Sequence, residues 1–214
     1  MLTIHAAALL LPGGGRAPVP GGAVAVRDAV VEDFGPYGEL SGAHPSARVR
    51  RWPGVLTPGL LQRDAVRLLE ESYFPDPREA DTLGTEPLTG AALAALGPDD
   101  TWRAGSVRRG LHRMLRHGTT AVTAAPGTSP ALLTAVRRSG LLVIGSAAPA
   151  GDGPWIDPLA GAASAADAMA APLAAGARAD LAAFDAPDEA ALLASGGASC
   201  VATVAGGRLV YRGR

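Results

Sequence analysis

The sequence of 214 residues contains no lysine and no asparagine, and the missing lysine excludes two kinds of chemistry. No Schiff-base lysine can form, and no P-loop lysine can hold a phosphate. The stretch LPGGGRAPVPGG (residues 11–22) is therefore not a phosphate-binding loop. Its glycines and prolines instead predict the connection of a β-hairpin.

A single cysteine, Cys200, excludes an intrachain disulfide and a Cys-x-x-Cys metal site. It lies in SCVATVAG, a predicted strand, where we expect a buried and unreactive thiol. The formal net charge of −1 gives no electrostatic case for a nucleic-acid partner. The first apolar run is too short to span a bilayer and follows no basic segment, so we expect no membrane partner and a cytoplasmic location.

Short apolar runs bounded by glycine and proline predict a small β-module in the first fifty-odd residues. Its predicted strands are Leu2–Leu11, Ala23–Val26 and Ala29–Phe34, followed by a further apolar piece at Val55–Thr57. The end of the chain returns to this pattern with ADLAAFDAP and with a hairpin that turns at Gly206-Gly207. We therefore expect the two ends to join one sheet.

The middle of the chain alternates helices and strands. Apolar residues at helical spacing predict helices over Leu60–Ser72 and Thr101–His117. Thr119–Ala124 and Leu141–Ser146 are predicted buried strands, with a helix capped by Ser129 between them. This order is typical of a parallel sheet, and the predicted fold class is α/β.

Four passages resemble the amidohydrolase superfamily, in particular its imidazolonepropionase and aminodeoxyfutalosine deaminase branch. Gly21–Leu40 is similar to a hairpin of that family that ends in Gly-Pro, and Arg50–Gln62 is similar to the entry into its first barrel strand. Leu111–Ala124 resembles the helix and strand that follow. Gly176–Leu181 carries the closing Gly-x-x-Ala-Asp-Leu signature.

The resemblance implies a small β-sandwich composite domain formed by both termini (residues 1–57 plus 176–214), with an inserted barrel-like segment (residues 58–175). A complete (β/α)₈ barrel needs about 250 residues, and the insertion is less than half as long. We therefore expect an incomplete barrel with at most three strands, at Val55–Thr57, Thr119–Ala124 and Leu141–Ser146. The family's activity is the hydrolysis of carbon–nitrogen bonds other than peptide bonds, with zinc or iron.

The resemblance also shows where this chain departs from the family. The family places His-x-His after the Pro-Gly of its first strand, and here those positions hold Asp64 and Val66. Valine cannot bind a metal, and a carboxylate in the first turn of a helix also complements the helix dipole. The family's later ligands belong to the part of the barrel that is missing. We therefore expect no metal or other cofactor.

The remaining polar residues offer three weak catalytic candidates, Asp64, Glu70 and Glu71. The two glutamates begin an acidic cluster near Tyr73 whose other members are Asp76, Glu79 and Asp81. Paired carboxylates can do acid–base chemistry, although such a cluster is more often a solvated surface or a binding rim. Ser146 follows a strand but lacks the Gly-x-Ser-x-Gly elbow. The four histidines are His5, His44, His112 and His117; His112 and His117 are five residues apart on one predicted helix and do not share a face.

Three hypotheses follow. The chain is a reduced amidohydrolase relative that acts as a scaffold or partner protein, or an active carbon–nitrogen hydrolase whose site is unconventional or completed between subunits, or an unrelated α/β protein that binds a small molecule. An incomplete barrel would leave sheet edges unpaired and an apolar face uncovered. We therefore expect a homodimer or a partner protein at the α/β segment, or a cover formed by Pro149–Ala175. The basic face of the helix over Thr101–His117 is a solvated or partner surface.

Overall fold

The computed structural model of the chain describes residues 1–97, 99–145 and 155–213. Within these ranges the protein is mixed α/β, with four sheets. The strands are β1 (Leu2–Ala6), β2 (Leu9–Leu10), β3 (Val19–Pro20), β4 (Gly22–Arg27), β5 (Val30–Pro36), β6 (Arg48–Arg51), β7 (Val55–Pro58), β8 (Leu60–Gln62), β9 (Ser72–Tyr73), β10 (Leu88–Thr89), β11 (Thr119–Thr123), β12 (Leu142–Ile144), β13 (Leu181–Phe184), β14 (Cys200–Ala205) and β15 (Arg208–Arg212).

The helices lie mainly in the middle of the chain. They are α1 (Tyr37–Ala43), α2 (Ala65–Glu71), α3 (Ala80–Leu83), α4 (Gly90–Leu96), α5 (Asp100–Leu115), α6 (Pro130–Arg138), α7 (Ala165–Ala168) and α8 (Glu189–Ser195), with 3₁₀ turns at Pro77–Glu79 and Gly196–Ser199. No helix in the described ranges has the length and apolar character needed to cross a membrane.

A four-stranded sheet in the order β5–β4–β1–β6 is built from the first fifty-one residues. A tight turn at Asp28-Ala29 joins β4 to β5, and Asp28 there adopts a φ of 54°, a conformation that aspartate tolerates in turns. The edge strand β6 reads Arg-Val-Arg-Arg. Such charged edges discourage pairing with a further strand.

A six-stranded sheet in the order β15–β14–β13–β7–β2–β3 contains strands from both ends of the chain. Its central pair is antiparallel, with Leu181 opposite Pro58 and Phe184 opposite Val55. The hairpin across residues 11–18 and the turn at Gly206-Gly207 are both confirmed. Buried apolar side chains of this sheet share one core with those of β4 and β5. The division into residues 1–57 plus 176–214 and 58–175 stays a prediction.

The third sheet is parallel, in the order β12–β11–β8. Within the described ranges it does not close into a barrel. Two predictions about its first strand are wrong: Val55–Thr57 lies in β7 of the six-stranded sheet, and Leu60–Gln62 forms β8 instead of opening a helix. The helix begins only at Ala65, because Leu60–Gln62 pair with β11.

Gly59 lets the chain pass from one sheet to the other. Its N–H donates to the carbonyl oxygen of Asp180 at 2.8 Å, and its own carbonyl oxygen accepts from Ala170 at 2.9 Å. A Cβ at this position would lie 1.9 Å from Oγ1 of Thr120. Only glycine therefore allows β7 and β8 to follow one another so closely beside β11.

Residues between Leu159 and Met169 pack against Leu60 of β8. Leu159, Ala165 and Ala168 are buried with Leu60 in one apolar cluster, and Leu60 also pairs with Met169 in an isolated antiparallel bridge. These contacts are with β8 and the six-stranded sheet, so the predicted cover of the strands at Thr119–Ala124 and Leu141–Ser146 by Pro149–Ala175 stays a prediction, and residues 149–154 lie outside the described ranges.

Candidate functional site

The candidate site lies at the carboxyl ends of the parallel strands β8 and β11, the edge at which parallel α/β folds hold their ligands. β8 ends at Gln62 and is followed by Arg63 and Asp64, while β11 ends at Thr123. The hydroxyl of Thr123 donates to the carbonyl oxygen of Arg63 at 2.5 Å. That hydrogen bond fixes the two strand ends next to each other.

Gln62 is almost fully buried, and its amide is used for structure. Nε2 donates to the carbonyl oxygens of Trp155 and Ile156, at 2.7 and 3.1 Å. Oε1 accepts from the backbone N–H of Asp64 at 3.0 Å. Sequence reasoning missed this residue, although it is the single glutamine of the chain and lies in an apolar strand.

Asp64 occupies the first of the two positions that hold histidine in the family. It is 5 % exposed and stands at the N-cap position of α2, so the prediction that it lies at a helix start is confirmed, but its side chain makes no capping hydrogen bond. Among the described residues nothing donates a hydrogen bond to its carboxylate. Its carboxylate oxygens are not among the buried, unpaired side-chain atoms of the described residues, so they contact solvent at this edge.

Val66 occupies the second position. It is half-buried and packs against the apolar cluster that α2, α5 and α6 share with β11. This side chain contributes to the core and has no donor atom for a metal.

The histidines lie apart. His5 is buried in the four-stranded sheet, where Nε1 of Trp52 donates to its Nδ1 at 3.2 Å. Nδ1 of His117 contacts the carbonyl oxygen of Arg113 at 2.8 Å, just after the end of α5. His112 is exposed on α5 and His44 follows α1.

No three His, Cys, Asp or Glu side chains come together as metal ligands anywhere in the described ranges. At the strand ends the groups that could bind a metal are the amide of Gln62, which is already hydrogen-bonded, and the carboxylate of Asp64. A catalytic divalent ion needs three protein ligands and an open position. The residues present therefore do not fit the family's zinc or iron.

Glu70 and Glu71, the other weak catalytic candidates, are exposed at the far end of α2. They stand about 9 Å from Asp64 along the helix axis. Glu71 pairs with Arg67 at 3.6 Å across one helical turn. The structure thus does not combine the three candidate carboxylates in one site. Ser146, the weak candidate nucleophile, lies outside the described residues.

The rest of the acidic cluster is mostly structural. Glu79 accepts hydrogen bonds from the hydroxyl of Tyr73 at 2.9 Å and from the N–H of Asp76 at 2.7 Å. Asp76 caps the following 3₁₀ turn and pairs with Arg109 at 3.3 Å. Asp81 lies exposed in the first turn of α3. These contacts brace the loop after β9.

Cys200 should be inert in the folded protein. Burial raises the pKa of its thiol to about 11, and the sulfur lies 3.4 Å from the carbonyl oxygen of Ala202 and 3.4 Å from Oγ1 of Thr203. Since the thiolate is the reactive form, we expect a disulfide reagent at pH 8 to modify the native protein at least about 100-fold more slowly than the denatured protein. Fast stoichiometric modification of the native protein would contradict this burial.

No protein-family model matches the chain, and no curated protein matches it. Solved structures do. A. niger ochratoxinase is 20% identical with a TM-score of 0.45, and the match covers 67% of this chain and 31% of that chain. Guanine deaminase from Bradyrhizobium japonicum is 20% identical with a TM-score of 0.43, covering 67% and 34%. Helicobacter pylori aminofutalosine deaminase is 12% identical with a TM-score of 0.43, covering 68% and 33%.

The chain is similar to amidohydrolase-family hydrolases and deaminases. This is the resemblance that the sequence predicts. The chain spans about a third of the length of the first three of these structures. At identities of 20% or less and TM-scores below 0.5, no activity is carried over from them.

Proposed function

We propose that this chain is an amidohydrolase-like pseudoenzyme, a scaffold or partner protein without metal-dependent hydrolysis of carbon–nitrogen bonds. The observation that carries the proposal is the occupied end of β8. There Gln62 binds the chain's own Trp155 and Ile156, and Val66, in the following helix α2, is half-buried against the apolar cluster of α2, α5 and α6. The place where the family holds a cation is taken up by side chains that stabilise the fold.

The proposal includes the composite domain. Direct pairing of β7 with β13 in the six-stranded sheet, and the core shared with β4 and β5, support a small β-sandwich formed by residues 1–57 plus 176–214. The segment 58–175 is then the reduced barrel, which keeps three parallel strands and their helices. A frame of this kind can present a surface to a partner without performing chemistry.

The alternative function is an active carbon–nitrogen hydrolase or deaminase whose site is completed between subunits. Asp64 favours it, because its carboxylate accepts no hydrogen bond from the described residues and contacts solvent at the ends of β8 and β11. A second subunit that brings histidines to this carboxylate would supply a ligand set that one chain lacks.

Metal content and turnover separate the two functions. We expect purified protein, after incubation with Zn²⁺ or Fe²⁺ and removal of free ions, to retain far less than one metal ion per chain by elemental analysis. We also expect no hydrolysis of imidazolonepropionate. Guanine and aminofutalosine, which the names of the similar deaminases state as substrates, should not be hydrolysed either.

Two variants make the result specific to the site. Asp64→Asn removes the buried charge and keeps the shape of the side chain, and Glu71→Gln is the matched change on the exposed surface. Stoichiometric metal in the wild-type protein and in Glu71→Gln, but not in Asp64→Asn, would overturn the pseudoenzyme and establish the alternative. Under our proposal all three proteins are metal-free, and Asp64→Asn has a stability close to that of the wild type, because the carboxylate makes no hydrogen bond with the described residues.

A further inference from the structure

The strand β6 is an open edge of the four-stranded sheet. It pairs with β1 on one side, and in the described ranges no strand lies on its other side. Alternate residues of an edge strand direct their backbone groups to opposite sides, and the N–H of Trp52 donates inward to Ala6 of β1 at 2.9 Å. The N–H and C=O groups of Val49 and Arg51 therefore point outward. Among the described residues these groups have no hydrogen-bond partner.

The side chains at this edge are basic. Arg48 and Arg50 lie on the same face of the sheet as Thr3 and His5, the residues of β1 with which they pair, and they are about 7 Å apart along the strand. Burial lowers the pKa of the Arg50 guanidinium, and the charges of Arg48 and Arg212 lower it further. Arg212 belongs to β15 of the six-stranded sheet, so the edges of the two sheets bring three cations near one another.

No carboxylate within the described ranges neutralises these guanidinium groups. Arg48, Arg50 and Arg212 form no ion pair there, whereas Arg178, for example, pairs with Asp180 at 2.9 Å. Arginines that repel one another and have no counter-charge favour an anion that another molecule supplies.

A second copy of the chain does not fit this edge. Two β6 strands paired antiparallel would place arginines against arginines, and like charges on paired strands are destabilising. The strand at the opposite edge of the same sheet, β5, carries Glu32 and Asp33, but its outer side is already hydrogen-bonded to the chain itself. There the N–H of Val31 donates to Ala177 at 2.8 Å, and the N–H of Gly176 donates to Val31 at 2.7 Å. The charge at β6 thus calls for a different polypeptide.

We propose that β6 binds an extended acidic segment of a partner protein, which adds to the four-stranded sheet as a further strand with carboxylates opposite Arg48 and Arg50. In strand addition, backbone hydrogen bonds supply affinity and side chains at alternate positions supply specificity. In an antiparallel pair, the residues opposite Arg48 and Arg50 belong to the pairs without backbone hydrogen bonds, in which side chains approach most closely.

The arginines of β6 have two effects on a further strand. They discourage a neutral or basic strand, and they attract an acidic one, so the same charges exclude wrong partners and select the right one. The proposal goes beyond the proposed function and does not rest on it, because β6 lies in a different sheet from the candidate site.

A short peptide with two glutamates at alternate positions tests the charge. The probe is acetyl-Thr-Val-Glu-Thr-Glu-Val-Thr-amide, and isothermal titration calorimetry with the full chain measures its binding. We expect a Kd below about 1 mM, and we expect the affinity to fall about 10-fold as the salt concentration is raised from about 0.05 to 0.5 M, because salt screens exposed charges. The same peptide with glutamine in place of both glutamates should bind about 10-fold more weakly.

A modified peptide tests strand addition separately from charge. N-methylation of the central threonine and of the first valine keeps both glutamates and removes the N–H groups that would donate to β6. This peptide should bind about 10-fold more weakly than the probe. The probe should also slow hydrogen exchange at the N–H groups of Val49 and Arg51, which attraction between side-chain charges alone would leave unchanged.

Two variants locate the site. R48Q/R50Q should bind the probe about 10-fold more weakly than the wild type. R78Q/R137Q makes the same change in net charge at two exposed arginines outside β6 and should bind the probe as the wild type does. Circular dichroism melting verifies that both variants fold, and the comparison of peptides on the wild type does not depend on either variant.

Four results would overturn the proposal. They are no binding of the probe at up to about 1 mM, equal binding of the glutamine peptide, equal binding of the N-methylated peptide, and unchanged affinity in R48Q/R50Q. Displacement of the probe by an equimolar amount of inorganic tripolyphosphate would also overturn it, because the arginines would then form a site for phosphate anions instead of a strand.

Discussion

The free energy of unfolding should fall by about 3 kcal/mol as the pH is lowered from 7 to 4, and His5 should account for that loss. Burial lowers the pKa of His5 to about 4, with the charge of Arg50 as a second cause. The unfolded chain binds this proton near pH 6.5, so between pH 6.5 and 4 protons favour the unfolded state. A shift of that size corresponds to about 3 kcal/mol. The stabilisation is complete above pH 6.5 and is lost as the pH falls through 4.

The hydrogen bond between His5 and Trp52 also predicts that the protein loses stability when the pH is lowered. Nε1 of Trp52 can only donate, so Nδ1 of His5 must accept and has to be free of a proton. Protonation of the imidazole would break this bond and place a cation beside Arg50. The folded sheet therefore favours the neutral imidazole of His5.

Urea unfolding at a series of pH values measures the effect. His5→Asn keeps an acceptor for Trp52 and removes the titration, so its stability should change much less than the wild type's between pH 7 and 4. His112→Asn removes an exposed imidazole from α5 and serves as the matched control, with a pH dependence like that of the wild type. Equal pH dependence in all three proteins would show that His5 does not carry the effect.

Replacing Gly59 with alanine should destabilise the protein by about 3 kcal/mol or more, because the added methyl would overlap a buried side chain. The new Cβ would lie 1.9 Å from Oγ1, 2.5 Å from Cγ2 and 2.7 Å from Cβ of Thr120. Thr120 is fully buried and cannot rotate out to solvent. The parallel sheet and the six-stranded sheet would have to separate at their junction.

A double-mutant cycle identifies the contact. Thr120→Ala removes the two nearest atoms, so the pair Gly59→Ala/Thr120→Ala should cost less than the sum of the two single variants. Gly42→Ala is the control, since a Cβ there meets nothing within 4 Å and alanine favours the helix α1. Denaturant unfolding of the wild type and of these four variants measures the free energies that are compared. Strict additivity would mean that the strain is released elsewhere in the backbone.

The parts of the fold that follow from sequence are those in which one local signal decides the structure. Asp28 and Gly206-Gly207 mark turns because of their backbone preferences, and Gly118 ends the region of α5 with a φ of 80°. Cys200 is buried, as its apolar neighbours predict. These features need no knowledge of distant residues.

The errors arise where two structures share one pattern. Leu60 and Leu61 continue the helical spacing of Ala65 and Leu68, so a three-residue strand looks like the start of α2. Val55–Thr57 is a short apolar run that would fit a buried strand in either sheet. Which sheet receives it is decided by β13, more than a hundred residues away.

The candidate site could be predicted only in part. The loss of the His-x-His pair is visible at Asp64 and Val66. The hydrogen bonds from Gln62 to the carbonyl oxygens of Trp155 and Ile156 cannot be seen in the sequence. A glutamine that donates to backbone carbonyls leaves no spacing pattern.

The pairing of β7 with β13 has a consequence for biosynthesis. β7 ends at Pro58 and its partner begins at Leu181, so the ribosome must add more than a hundred residues before that edge can be closed. At ordinary rates of translation this takes on the order of 6 to 25 seconds. During that time the nascent chain presents an apolar strand with open hydrogen-bonding groups, the kind of segment that a chaperone shields from other polypeptides.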